Sequence, residues 1–179
     1  MKYYIFSFCF LFSSCTRKNA EIETLMRSIS SHRTNVPFEK LVCINIPNTI
    51  DDSIHYTHAN YKVVEYINER ACAPCTVKGL AVWNELLYMN HSFSSAFIIE
   101  APSYRIPSLR KSYMESGLDH PVYIDTCHAF MNANPHITDN ALFHTFLLDE
   151  NDSIKIIGNP IRNEKIKELY KKILSEHDE

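Results

Sequence analysis

Glycine is scarce in this chain, with 3 in 179 residues, and no internal repeat or low-complexity segment appears. Together with 45% hydrophobic and 12% aromatic residues, that is the composition of a folded protein. There is no excess of positive charge: the formal net charge is −3. No basic stripe offsets it locally, which removes the usual electrostatic footprint of a nucleic-acid binder. No apolar run approaches the roughly 20 residues of a membrane-spanning helix. The 6 cysteines are too few to form a disulfide scaffold over this length, so each needs its own explanation. The length suits one domain with a short appendage.

The start of the chain reads as that appendage. Met1-Lys2 supplies a positive charge, Tyr3 to Phe12 is mostly apolar, and Ser13-Ser14-Cys15 closes the run with small residues. A charged, then apolar, then small-residue order is the pattern of a secretory signal. Phe12-Ser13-Ser14-Cys15 also resembles the lipobox of bacterial lipoproteins, in which the cysteine is acylated and begins the mature chain. Phe12 departs from the aliphatic residue usual at that place. The expectation is a signal over 1–15 with Cys15 as the lipid attachment site, against an ordinary signal peptide or a tail that merely looks apolar as the alternatives. In either export case Cys9 would be removed with the signal. Residues 16–37 are expected to be a tether with a short helix, in which Ile22, Leu25, Met26 and Ile29 have helical spacing, or a solvated linker with a frayed helix.

The stretch that carries chemistry is Cys72-Ala73-Pro74-Cys75. Tyr61 to Ile67 before it is rich in β-branched and aromatic residues and predicts a strand. Thr76 to Met89 after it predicts a helix, with Val77, Leu80, Trp83 or Asn84, and Leu87 on one face. A thiol in the first turn of a helix meets unpaired backbone N–H groups and the positive end of the helix dipole. Both favour thiolate, and such settings bring a cysteine pKa from about 8.5 into the range of about 3.5–7.5. Cys72 is therefore the expected nucleophile, and Cys75, one turn on, the resolving thiol.

Other elements follow from pattern. Phe38 to Ile46 predicts a first strand, with Cys43 inside it as a small core hydrophobe. Asn48 to Asn60 predicts a solvated loop, whose His55 and His58 lack companions for a metal site. Ser95 to Glu100 and Pro121 to Asp125 predict strands, and Ile106 to Gly117 a helix. Gly79 would allow close helix packing. The loop from Thr126 to Asn140 holds Cys127 beside His128, where a structural cysteine is expected. Ala141 to Asp149 and Ser153 to Ile157 predict a hairpin turned at Glu150-Asn151-Asp152. Ile166, Leu169, Tyr170 and Ile173 mark a closing amphipathic helix.

This order, with C-x-x-C between strand and helix, resembles the thioredoxin-like thiol-disulfide oxidoreductases, specifically the membrane-anchored redoxins and thioredoxin-like lipoproteins of bacteria. The resemblance covers roughly Phe38 to Leu174. It implies an α/β protein with a thioredoxin-like fold over 38–179, a central mixed sheet flanked by helices. It further implies disulfide exchange at Cys72 and Cys75, with Pro74 and His144 as supporting residues and no cofactor or resident metal. The partners would be client proteins bearing thiols or disulfides and a membrane electron donor or acceptor. The protein would be exported, lipid-anchored to a bacterial membrane and facing the periplasm. Ala71 stands where the family usually has tryptophan, and His144 where it has a cis-proline. A trans Phe143-His144 bond is expected, because a cis bond there costs about 2.5–4 kcal/mol. His144 would then stand near Cys72 or be an exposed strand residue without a role. Glu65 is the nearest match to the family's buried acid, one residue out of register. Two other readings remain open: a redox-inert binding module on a lipid anchor, and a metal carrier using the cysteine pair with His144.

Overall fold

The computed structural model describes residues 10–44, 56–70, 73–88 and 93–175. Most of the expected signal, Asn48 to His55, Ala71 and Cys72 lie outside them. Six strands form one mixed sheet: β1 (Val42–Cys43), β2 (Tyr61–Ile67), β3 (Phe93–Glu100), β4 (Val122–Asp125), β5 (Thr145–Asp149) and β6 (Ile154–Ile157). Their order is β1-β4-β3-β2-β5-β6, with β2, β3 and β4 parallel and the rest antiparallel.

β2 is central and buried along its whole length. The period of two puts Val63 and Ile67 in one hydrophobic cluster and Val64 and Tyr66 in another on the opposite face. The first cluster takes Val77, Leu80, Trp83 and Leu87, the positions expected of the helix after Cys75. That helix has three parts: α2 (Ala73–Gly79), a 3-10 turn over Leu80–Val82, and α3 (Trp83–Leu87). The closer-packed expectation for Gly79 is corrected. A β-carbon there would meet nothing within 4 Å.

The helix over Ile106–Met114 (α4) packs on α2 from the same side. Gly117 follows with φ +71°, the left-handed value glycine adopts without steric cost. The closing helix α6 (Glu164–Ser175) starts after Asn163, whose side chain accepts from the N–H groups of Lys165 and Ile166. Tyr170 is fully buried, while Leu169, expected on the same face, is exposed.

On the other face lie α1 (Phe10–Ser30), longer than the short helix expected, and α5 (Ala129–Ala133), inside the expected loop. Ile29 is buried with Leu25 and Met26 packed around it, whereas Ile22 faces solvent. After α1, Thr34 N–H bonds to Asp152 and Asn35 exchanges bonds with the side chain of Asn134. The hairpin turn is held from below by Lys62. Its ammonium, 2% exposed, lies 2.8 Å from Asp152 and donates to the Glu150 carbonyl.

The first strand is shorter than expected. Phe38–Lys40 form a 3-10 turn, and only Val42–Cys43 pair at the sheet edge. Both are exposed, which corrects the core role expected for Cys43, because an edge strand leaves one flank unpacked. Cys127 is likewise exposed rather than structural. Among the described residues, no helix is long and apolar enough to cross a membrane.

Candidate active site

The chain leaves the C-terminal end of β2 at Ile67 and enters α2 at Ala73. Ala73, Pro74 and Cys75 thus open the helix that follows the central strand. Pro74, half-buried, occupies the first turn of α2, where its missing N–H costs nothing. Cys75 is exposed in that same turn and is disulfide-bonded. Cys72 itself is outside the described residues.

Glu65 sits beneath this helix, on the β2 face that carries Val63 and Ile67. It is 6% exposed. Trp83 Nε1 donates to one carboxylate oxygen at 2.7 Å, and Asn159 Nδ2 to the other at 2.9 Å. Burial pushes its pKa up, against the lowering effect of Trp83, the Arg162 charge and Asn159. The carboxyl lines a groove of about 380 Å³ that runs past Leu142, Thr145 and Arg162. A buried acid is therefore present behind the helix that carries Cys75. It was half-legible in the sequence: strand alternation gives Glu65 its face, but the partners Trp83 and Asn159 lie 18 and 94 residues away.

His144 joins the turn over Ala141–Phe143 to β5, and the Phe143-His144 bond is trans, as expected. It is 2% exposed, which excludes the exposed-residue reading. Its carbonyl accepts from Tyr66 N–H, and its ring stands edge-on to Tyr66 with centroids 5.3 Å apart. Nε2 lies 2.7 Å from the Thr138 carbonyl and so must carry the proton. Nδ1 is then a bare acceptor, with no hydrogen-bond partner. Burial is the main influence and lowers the His144 pKa, so the ring is neutral near pH 7.

A second group, not expected from sequence, surrounds His144. Tyr66 hydroxyl donates to Glu100 Oε2, and His128 Nδ1 lies 3.0 Å from Glu100 Oε1. His128 has φ +57°, a left-handed backbone that few non-glycine residues adopt. Asp125, fully buried, fixes this loop by accepting from the N–H groups of Cys127, Ala129 and Phe130 at 2.9–3.1 Å. Cys127 and His128 thus diverge, the thiol outward and the imidazole toward Glu100. Tyr66, Glu100, His128 and His144 border a cavity of about 190 Å³ at the C-terminal ends of the parallel strands. Among the described residues, no cluster of three or more His, Cys, Asp or Glu is arranged to hold a metal ion.

The element order, the mixed sheet and the junction at α2 make this a thioredoxin-like fold. The chain is similar to several solved structures. The bacterioferritin comigratory protein of Xanthomonas campestris, described for alkyl peroxide reduction, superposes with a TM-score of 0.51 at 14% identity, over 79% of this chain and 98% of that one. A thioredoxin-like protein from Porphyromonas gingivalis gives 0.48 at 12% identity, over 67% and 79%. The thioredoxin domain of a thiol-disulfide oxidoreductase from Bacteroides vulgatus gives 0.46 at 11%, over 66% and 81%. No protein-family model and no curated protein matches the chain.

Proposed function

We propose that the protein is an envelope thiol-disulfide oxidoreductase. The observation that carries this reading is an exposed, disulfide-bonded cysteine in the first turn of the helix that follows the central strand. Cys72 is the partner of Cys75 in this reading, since three residues make one helical turn. In the reductive direction, the Cys72 thiolate attacks a client disulfide and forms a mixed disulfide. Cys75 then attacks Cys72 sulfur, closes the intramolecular disulfide and releases the client's second thiol. The reverse sequence oxidises the client.

Glu65 supports the exchange. A carboxyl with a raised pKa, bordering a groove and standing behind the helix, can take up and return the proton that Cys75 loses and regains. The lipid anchor at Cys15, periplasmic exposure, and client and membrane redox partners complete the proposal. They rest on the signal-like start of the chain and on the need for a partner to set the state of an exported dithiol.

The test is a redox titration of the protein in graded thiol-disulfide buffers, read by mass-shifting alkylation, with Cys72→Ser and Cys75→Ser beside it. Cys72→Ser should abolish exchange, and Cys75→Ser should trap mixed disulfides. Full activity in Cys72→Ser would overturn the assignment. A pair that never cycles would leave a binding module in its place.

A further inference from the structure

The end of α1 meets the loop after α5 through two imidazoles. His32 and His136 stack with ring centroids 4.7 Å apart and planes 17° from parallel. His32 Nδ1 lies 2.9 Å from the Ser28 carbonyl and so carries the proton, which ties that ring to the last turn of α1. His136 Nε2 is buried and has no hydrogen-bond partner among the described residues. A neutral ring tolerates one bare nitrogen, whereas an imidazolium carries a proton on both. Charging His136 therefore buries an unpaired, charged N–H, which is far costlier than a bare acceptor.

Burial first, and then the His32 charge, hold the His136 pKa below the ordinary 6.5. The other charged groups of the neighbourhood are engaged elsewhere. Asp152, on the hairpin turn, pairs with Lys62. Asp139, three residues beyond His136, acts on Tyr66 and His144. Arg33 is exposed beside its backbone bridge to Ser153, and Glu39 and Lys40 of the 3-10 turn are exposed too. None of them offsets a charge on His136. The contacts that hold α1 beside the stack do not titrate near neutrality. Ile29 is buried apolar surface, and Asn35 and Asn134 exchange amide bonds. Three residues before Ile29, Met26 forms part of the wall of the 380 Å³ groove that Glu65 and Arg162 border. The seating of α1 thus decides whether that groove keeps its Met26 wall.

We propose that the His32–His136 stack is a pH-sensitive latch: the neutral pair keeps the end of α1 docked, and protonation of His136 releases it and opens the groove at Met26. The inference is independent of the redox reading above. A released His136 binds its proton more tightly than the docked ring does, so acid favours release. Docking is whole above about pH 6.5 and is lost progressively as pH falls from there toward the docked-state value.

The test is a pH titration of the full chain with methyl-labelled methionine, following the His136 ring and Met26 methyl resonances together. Hydrogen exchange is read alongside on the Ser31 and His32 amides, which bond back to Arg27 and Ile29 and lose protection when the end of α1 frays. His136 should titrate below 6.5, and the Met26 methyl should move with the same midpoint. Between about pH 7.5 and pH 5, protection corrected for intrinsic exchange should fall about fivefold or more, the low end of ordinary couplings between sites. Amides of β2 and β3 should keep theirs, which separates release from acid unfolding. In His136→Phe, which can stack but not titrate, the step should vanish. That variant isolates His136 from His120 and His144, whose pKa values burial also lowers. A His136 midpoint at or above 6.5, a Met26 methyl or protection that does not follow it, or a step that survives in His136→Phe would overturn the latch. Should phenylalanine itself undock the helix near pH 7.5, the shared or separate midpoints in the unmodified chain decide.

Discussion

Replacing Asp125 by alanine is the sharpest test of how this fold builds the C-terminal end of its parallel strands. The side chain is fully buried and accepts from three backbone N–H groups, two of them, at Ala129 and Phe130, themselves buried. The third, at Cys127, is partly buried and within reach of water. Alanine has nothing to offer these donors. Each buried donor left unsatisfied costs about 1–3 kcal/mol. Two such donors give a loss of about 2–6 kcal/mol, and rehydration of the Cys127 N–H adds little. For a domain of this size, about 1 kcal/mol lowers Tm by about 2–4 °C. The assay is urea unfolding monitored by far-UV circular dichroism, with the midpoint shift read at constant slope. The same variant should free His128 from its left-handed backbone and break its contact with Glu100, visible as a shift of the His128 ring resonances. A loss under about 1 kcal/mol, or an unmoved His128, would mean that the three bonds do not organise the loop.

Two glycine substitutions should move stability in opposite directions. Gly79 has ordinary right-handed helical angles and open space where a β-carbon would go, so Gly79→Ala should stabilise by about 0.4–1 kcal/mol. Gly158 has φ +134°, and a β-carbon there would lie 3.3 Å from Ile166, so Gly158→Ala should destabilise by more than about 1 kcal/mol. Thermal melts of the pair check both signs. The chain's single tryptophan reports on Glu65, because its indole donates directly to that carboxylate. Burial raises the Glu65 pKa above the ordinary 4.5, so folding binds a proton more tightly than the unfolded chain does. This contribution is whole below pH 4.5 and is lost as pH climbs through the folded-state value. Trp83 fluorescence should titrate over that rise, and Glu65→Gln should remove both the fluorescence step and that part of the stability profile. A step that survives Glu65→Gln would assign it to another group.

Much of the layout was legible from short-range pattern. Tyr61 to Ile67 has the composition of a strand buried on both faces. The spacing of Val77, Leu80, Trp83 and Leu87 marked the helix face that packs on it, and Gly117 marked where the chain turns. These features are encoded within a few residues, so periodicity finds them. The same short range explains why Phe38 to Cys43 is not one continuous strand. A run of β-formers does not reveal whether a partner strand covers it, and at the sheet edge Cys43 is left in solvent.

The amino-acid sequence by itself determined the C-x-x-C motif, its strand-to-helix setting and the order of elements, because each depends on neighbours along the chain. Tertiary structure alone decided the surroundings of that motif. Glu65 becomes a buried acid only when Trp83 and Asn159 close over it. His144 becomes a neutral, bare acceptor only when Thr138 takes its other nitrogen. Tyr66, Glu100 and His128 meet because the parallel pairing of β2, β3 and β4 brings their C-terminal ends level. Pairing register and burial are set by contacts between distant segments, and no local pattern of residues encodes them.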